Sequence, residues 1–442
     1  MSLVDNSDLY LTKYKTDTLI FMKDNEKIIF DPSNVLNIEY LCDYEFNIRA
    51  ILKVTIRVDI RKKLWILKNK KDIICKFELS KVRMDIDYEE IISSPEEVWN
   101  REFGIYLNDE DDATDVNVLE ERVKKNETED FDINDLSTES YHESENVMDI
   151  YLFNKDLLSS STTKNNEVIT KNTIQQIIGR ILTQSKHKEV LMSPIENDQV
   201  YEELLLPANP AYKNIAYLDQ YYGLYKTGAI VFYDADILYI LNTNGKLTAK
   251  REDEWHQTVF YITEVDNSTP GNGMFERPGE KVFYCSIPES SINPQNVADS
   301  DDGDSGNESK LVLTDTIGLI STNTTQGDLN QRNDSIIYGT KDANKYSLML
   351  IKARTVENKC ILYISSDNLD INAFTPNKVY NVVFEETSKQ ERFGKYQYRL
   401  AYAYHYLKLE SEFMTCSHQI ILKRCISDEE LSTIQEIPSK FK

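Results

Sequence analysis

The sequence predicts an α+β fold, mostly β, in which two β regions are separated by an α/β region. Three observations carry this reading. Apolar and polar residues alternate over long runs in the first hundred positions and again in the last third. A helical period with a start signal and a glycine stop occupies the middle. Two acidic stretches interrupt the pattern and mark the boundaries. The expected organisation is β over 1–107, an acidic insertion or linker over 108–150, α/β over 151–265, and β over 266–442 with an acidic loop near 299–334.

The longest alternation runs from Phe46 to Ile60. Phe46, Ile48, Ala50, Leu52, Val54, Ile56, Val58 and Ile60 are apolar, and the positions between them are nearly all polar. As one strand the run would span about 50 Å at ~3.3 Å per residue, a length that suits a curved sheet or barrel. Leu64–Lys68 and Ile73–Leu79 read as a second strand pair around the turn Asn69-Lys70-Lys71-Asp72. Residues 108–150 then hold sixteen acidic and three basic side chains, a net of −13 that cannot be buried unpaired, so a solvated surface segment is expected. Thr173 and Gln176 form a capping-box pattern ahead of Ile174, Ile177, Ile178, Ile181 and Leu182, which share one helical face. Asn214–Tyr222 reads as a short helix stopped by Gly223, followed by strands at Ala229–Tyr233, Ile237–Leu241 and Thr258–Thr263. Alternation returns at Tyr346/Leu348/Leu350, at Tyr380/Val382/Phe384, and at Tyr396/Tyr398/Leu400/Tyr402/Tyr404, the last placing five side chains on one strand face.

Composition narrows the function. The chain has 442 residues, 50 basic against 74 acidic, and a formal net charge of −24, a balance that opposes phosphate binding. Only 14 glycines and 11 prolines exclude collagen-like and linker-like classes. No apolar run reaches the length of a membrane-spanning helix, and the opening MSLVDNSDLYLTKYKTD has no basic n-region or apolar core, so neither a membrane anchor nor a secretory signal is expected. The cysteines, Cys42, Cys75, Cys285, Cys360, Cys416 and Cys425, are scattered without a CxxC pair, as in a reduced, cytosol-made protein.

No motif specifies a reaction. Gly303-Asp304-Ser305-Gly306 has the look of a trypsin-type nucleophile loop, but no histidine motif precedes it and its acidic setting offers no rigid oxyanion hole. The acidic run from Asp299 fails the EF-hand register, with Gly303 at position 5 and Asp304 at position 6. Among His142, His187, His256, His405 and His418 there is no HExxH spacing. Cys416 and His418 share a strand face, but two ligands do not make a site, and a core cysteine beside a surface-facing histidine is the commoner arrangement. No phosphate-cradling glycine loop is present. No catalytic residue, cofactor or metal is therefore expected.

Two sets of residues are candidates for contact instead. Arg49, Lys53, Arg57 and Arg61 make a basic stripe on one face of the long strand, suited to an acidic protein partner or to a solvated, edge-protecting face, and less to nucleic acid in a chain of net charge −24. The tyrosines of the centre, Tyr212, Tyr217, Tyr221, Tyr222, Tyr225, Tyr233 and Tyr239, suit core or subunit-interface packing. Tyr221, Tyr222, Tyr225, Tyr402 and Tyr404 are the candidate interface positions.

The central run LLLPANPAYKNIAYLDQYYGLYKTGAIVFYDADILYIL resembles a stretch of the baseplate hub proteins of contractile-tailed bacteriophages. The matching positions are Pro207, Tyr217, Leu218, Tyr222, Gly223, Tyr225, Gly228, Phe232, Asp234 and Tyr239. The run from Pro376 to Arg424 is similar to the tube-type barrel of those hubs. The resemblance implies two tube-like antiparallel β-barrels with an intervening α/β region, the barrels lying within 1–107 and 266–442. It also implies a non-enzymatic homotrimer that joins the hexameric tail tube to the trimeric central spike beside other baseplate proteins, in a virion tail assembled in the bacterial host cytoplasm. DNA would meet such a protein only in passage, and an acidic channel wall would repel its phosphates. Two other readings stand beside this one: a tail or surface glycan-binding or receptor-binding protein, and a tail-borne cell-wall hydrolase with two carboxylates of separated pKa.

Overall fold

Alternating sequence becomes a ring of strands. The computed structural model describes residues 11–44, 51–84, 94–107, 146–154, 164–185, 189–234, 237–243, 257–263, 274–276, 282–288, 309–314, 318–323, 335–337, 345–357, 360–367, 370–374, 376, 379–384 and 387–435. The first part contains β1 (Leu11–Lys23), β2 (Glu26–Phe30), β3 (Val35–Asp43), β4 (Ile51–Val58), α1 (Ile60–Asn69), β5 (Ile74–Met84), β6 (Glu96–Tyr106) and β7 (Asn146–Phe153). The middle holds β8 (Lys164–Thr173), α2 (Ile174–Ser185), β9 (Glu189–Met192), β10 (Val200–Pro210), α3 (Ala211–Tyr222), β11 (Ala229–Asp234) and β12 (Ile237–Asn242). Next come β13 (Gln257–Thr263), β14 (Met274–Glu276), β15 (Val282–Pro288), β16 (Ser309–Thr314), β17 (Gly318–Asn323) and β18 (Ser335–Ile337). The chain closes with α4 (Lys345–Glu357), β19 (Ile361–Asp367), β20 (Val379–Phe384), α5 (Thr387–Phe393), β21 (Gln397–Glu410), β22 (Phe413–Arg424) and α6 (Asp428–Gln435).

The pairings run β21–β3–β4–β7–β6–β5–β1–β22, and β22 returns to β21, so eight antiparallel strands form a ring. The β1–β22 seam is brief, through Tyr14 and Met414. Inside lies a core that includes Phe21, Ile38, Ile56, Phe77, Ile150 and Leu407. Burying side chains of this size contributes roughly 1.5–3 kcal/mol each relative to exposure.

The hairpin β21–β22 is longer than the ring needs. Its far half pairs with β20 on one side and β19 on the other, and there it covers a second core of Leu362, Tyr380, Val382, Tyr398, Leu400 and Leu422. The sheet continues from β20 through β13 to β15 by parallel pairing. A third core belongs to the middle region, where α2 and α3 pack on the two-stranded β8–β10 ribbon through Ile177, Ile178, Ile181, Leu204, Leu206 and Leu218. The start signal of α2 is a reciprocal capping box: the Gln176 N–H donates to Thr173 Oγ1 at 3.3 Å, and the Thr173 N–H donates to Gln176 Oε1 at 3.0 Å. Helix α3 stops at Gly223, whose φ of 72° favours glycine and whose N–H donates to the Leu218 and Asp219 carbonyls.

The mostly-β expectation holds, and several local expectations are corrected. The long alternating run does not stay a strand: β4 ends at Val58, Asp59 caps the Lys62 N–H at 2.9 Å, and Ile60 opens α1. Residues 46–50 lie outside the described residues. Leu64–Lys68 is helical rather than a strand, because Lys63, Ile66 and Leu67 form a buried face at helical spacing behind that cap. Tyr346/Leu348/Leu350 belongs to α4, where Tyr346, Met349, Leu350, Ala353 and Glu357 recur at three- and four-residue intervals and are all buried. Strand β7 begins at Asn146, within the range read as an acidic insertion, and buries Met148 and Ile150 in the ring; residues 108–145 lie outside the described residues. The two β regions are not independent, since β21 and β22 complete the ring that the N-terminal strands begin. No helix among the described residues is long and apolar enough to cross a membrane.

Candidate assembly surfaces

The strands of the ring place a polar network on its outer wall. Glu39 of β3 and Lys53 of β4 are cross-strand partners, and Asp149 of β7 lies one strand further on. The Lys53 ammonium donates to Glu39 Oε1 at 3.0 Å and lies 2.9 Å from Asp149 Oδ2. Tyr404 of β21 donates its hydroxyl to Glu39 Oε2 at 3.1 Å, and Thr55 donates to Asp149 Oδ1 at 2.7 Å. Burial works to lower the Lys53 pKa, but the hydrogen bonds and charges of Asp149 and Glu39 outweigh it and hold the ammonium above its ordinary value. Burial and the bond to Glu39 push the Tyr404 hydroxyl up to about 12. The network ties four adjacent strands together at a half-exposed site.

This placement alters the basic stripe. Lys53 is neutralised by its two carboxylates, Arg57 is exposed on β4, and Arg61 sits on α1 rather than on the strand, so these three do not continue one basic stripe along the strand. Arg49 lies outside the described residues. Nearby, Tyr106 and Tyr151 are cross-strand partners with ring centroids 6.3 Å apart, and Tyr106 and Val147 present apolar surface to solvent.

A second surface lies on the β8–β10 ribbon. Ile169, Leu204 and Leu206 point into the core, so the strand period turns Val168 and Leu205 outward. These two are direct cross-strand partners, exposed 63% and 54%, with Val200 further along β10 exposed 55%. An apolar pair facing water costs free energy in an isolated chain, and such surface is characteristic of contact sites.

The tyrosines divide. Tyr221 is 41% exposed on α3 with its ring 4.7 Å from Tyr217. Tyr222 is half-buried, edge-on to Tyr201. Tyr225 is wholly buried and donates to the Ser193 and Ile240 carbonyls at 2.8 and 3.2 Å, so it is a core residue of the subunit. Helix α3 ends before it, and the spacing of Tyr217, Tyr221 and Tyr225 therefore makes no helical stripe. Tyr402 and Tyr404 are half-buried on the face opposite Tyr398 and Leu400, because an extra residue in β21 between Leu400 and Tyr402 reverses the alternation; the expected single tyrosine face does not form.

The central motif positions shape a turn against α4. Asp219, buried at the end of α3, accepts the Leu224 and Ala229 N–H groups at 3.2 Å each, and Arg354 of α4 lies 3.7 Å from its Oδ2. Burial raises the Asp219 pKa against the pull of Arg354 and the two N–H groups. Gly223 and Gly228 both have positive φ, and a Cβ on Gly223 would stand 3.0 Å from the Tyr346 backbone.

Sequence reasoning missed Val168 and Leu205, although a run of three leucines over Leu204–Leu206 can put only two on one strand face. It also missed His405, which joins Cys416 and His418: all three are buried, with ligand atoms within 4.8 Å of one another. The expected surface-facing His418 is instead wholly inside. Cys42, Cys75, Cys360, Cys416 and Cys425 form no disulfide. His142, His187, His256, the Gly303–Gly306 loop and the acidic run from Asp299 lie outside the described residues.

No curated protein matches the chain. Among solved structures, a tail protein from Neisseria meningitidis MC58 is similar at 9% identity and a TM-score of 0.44, covering 96% of this chain and 99% of that one. The 43 kDa tail protein of prophage MuSo2 from Shewanella oneidensis is similar at 8% identity and a TM-score of 0.38, covering 91% and 96%. The E. coli c3393 protein, described as a type VI secretion component with structural similarity to T4 bacteriophage tail proteins gp27 and gp5, is similar at 7% identity and a TM-score of 0.39, covering 95% and 78%. The family described as Bacteriophage PBS1 gene 109 protein matches residues 4–425, nearly the whole sequence, and the chain belongs to that family.

Proposed function

We propose that the chain is a non-enzymatic structural protein of a phage tail, acting as a trimeric baseplate hub between the tail tube and the central spike. The observation that carries this reading is the hairpin β21–β22, which completes the eight-stranded ring with one half and covers a second β core with the other. A chain with two β modules in series offers six modules as a trimer, which is what an adaptor between sixfold and threefold partners requires. Membership of a bacteriophage family and the hub-type residues from Pro207 to Tyr239 support the same reading. The Val168–Leu205 ribbon and the Glu39–Lys53–Asp149 wall are the surfaces offered to neighbouring tail proteins, and the net charge of −24 suits a wall past which DNA moves without adhering.

The test is mass by light scattering on the purified chain, followed by pull-down with the tube and spike proteins of the same phage. A trimer that retains both partners is expected. A chain that stays monomeric at high concentration and captures neither would remove the hub reading.

A further inference from the structure

His405 and His418 face each other across the hairpin as direct cross-strand partners, and Cys416 lies two residues before His418 on the same face. The two Nδ1 atoms are 2.7 Å apart, and Cys416 Sγ is 3.8 Å from His418 Nδ1. Phe374 packs on both imidazoles at 5.8 and 5.5 Å, and Tyr40 stacks on His405 at 5.9 Å. Cys416 belongs to the ring core and Phe374 to the second core, so the trio sits at the seam between the two.

We infer that His405, Cys416 and His418 form a structural binding site for a thiophilic closed-shell metal ion, Zn(II) or Cu(I), at the seam of the shared hairpin. Neutral imidazole and thiolate are the donors these ions select. Two imidazole nitrogens on one tetrahedral ion stand about 3.3 Å apart, and a nitrogen and a sulfur about 3.6 Å. The Cys416–His418 distance is therefore already near its bound value, the two rings must part by about 0.6 Å, and the edge from Cys416 to His405, within 4.8 Å, closes around the ion. The short Nδ1–Nδ1 approach is the same pair joined by a proton, one ring donating and the other accepting.

Charge and protonation agree with this geometry. Burial, and then the neighbouring imidazole, hold the His405 pKa well below its ordinary value, so the ring is neutral as a ligand must be. Burial raises the Cys416 thiol most, and the charges of Asp367 and Asp370 add to it, so the charge of the arriving ion must draw the thiol proton off. Binding balances as follows: the Cys416 S–H proton leaves to solvent, the proton between the rings moves to a distal Nε2, and one ion enters with a thiolate and two neutral imidazoles. One proton is released per ion. The trio is sealed from solvent, so loading occurs as the hairpin folds.

The test uses the full chain, unfolded in guanidinium with chelator and reductant, desalted, and refolded with Zn(II), with Co(II) as a spectroscopic substitute, or with Cu(I) held under a reductant. One retained ion per chain, a thiolate-to-cobalt charge-transfer band, and X-ray absorption showing one sulfur and two nitrogens around the metal are expected. Zn(II) retained over Cu(I), or the reverse, assigns the ion. Cys416→Ala should fold to the same circular dichroism spectrum, lose the band, and lose the rise in thermal midpoint that the ion gives the parent chain. The absorption measurement needs no variant and stands if Cys416→Ala fails to fold. A refolded parent chain that retains no metal after desalting, or metal without a sulfur neighbour, overturns the inference.

Discussion

The pair Glu357–Arg399 offers the sharpest test of how α4 is fixed to the sheet. Arg399 of β21 donates through Nε and a terminal nitrogen to both Glu357 carboxylate oxygens, each bond at 3.0 Å, and the side chains are 6% and 4% exposed. A two-pronged bond of this kind is geometrically specific and little screened by salt. Removing one member leaves the other charge buried without this partner, which costs roughly 3–5 kcal/mol; replacing both with apolar side chains of similar size is often neutral or better.

Glu357→Leu alone should therefore lose about 3–5 kcal/mol of stability, and Arg399→Met a comparable amount. The double variant should lose less than either single one, a coupling of opposite sign to simple additivity. Urea unfolding followed by circular dichroism, with matched slopes, gives the three differences needed for the cycle. If Glu357→Leu costs under about 1 kcal/mol, or if the double variant equals the sum of the singles, the pair does not anchor α4 and the argument from burial fails.

Gly223→Ala should destabilise by about 2–4 kcal/mol in the same assay, because the left-handed backbone and the close Tyr346 main chain act together. Tyr225→Phe should cost about 1–2 kcal/mol: the Ser193 carbonyl loses its tyrosine donor, while the Ile240 carbonyl keeps the Ser193 N–H. Burial works to raise the Glu430 pKa, but its bonds to the Ser427 N–H and to Arg424 depress it below its ordinary value. A depressed acid stabilises the fold above its unfolded pKa and loses that contribution as pH falls through the folded value, so the difference in thermal midpoint between the parent and Glu430→Gln should close as pH falls from about 6 to about 3. Val168→Glu with Leu205→Arg should leave unfolding by urea within about 0.5 kcal/mol and abolish trimer formation in light scattering; an unchanged mass would remove the ribbon from the assembly surface.

Much of the architecture is legible because burial imposes the period. Tyr380, Val382 and Phe384 read as a strand face and are one, since their alternation lasts as long as the strand. Thr173 and Gln176 read as a helix start and bond as one, because both partners lie in the same turn of chain. The failures have equally local causes. Three alternating residues at Tyr346, Leu348 and Leu350 are too few to exclude a helix, and the wider set Met349, Ala353 and Glu357 shows the helical period once it is counted. Lys53 reads as part of a basic stripe because its neutralising partners come from β3 and β7, and Asp149 lies 96 positions away in sequence. The His405 contribution to the seam is invisible for the same reason: strand register, not spacing, sets His405 beside His418.

That register depends on a single residue. Along β22, Met414, Cys416, His418, Ile420 and Leu422 keep one uninterrupted face, and all are buried, so this strand serves both cores without adjustment. On β21 the inward positions are Tyr398 and Leu400 before the bulge and Ala403, His405 and Leu407 after it. The extra position is Ala401, small and buried, whose carbonyl accepts the Tyr44 N–H at 3.1 Å. A strict two-residue period would turn Tyr402, Tyr404 and Tyr406 into the ring and expel His405, and the hydroxyl of Tyr404 would then lie too far from Glu39 to bond it. The bulge thus fixes two placements at once: it holds the tyrosines on the outer wall, and it turns His405 toward His418 and Cys416. Both cores draw on this one hairpin, and Tyr40 of β3 packs against each of them as well.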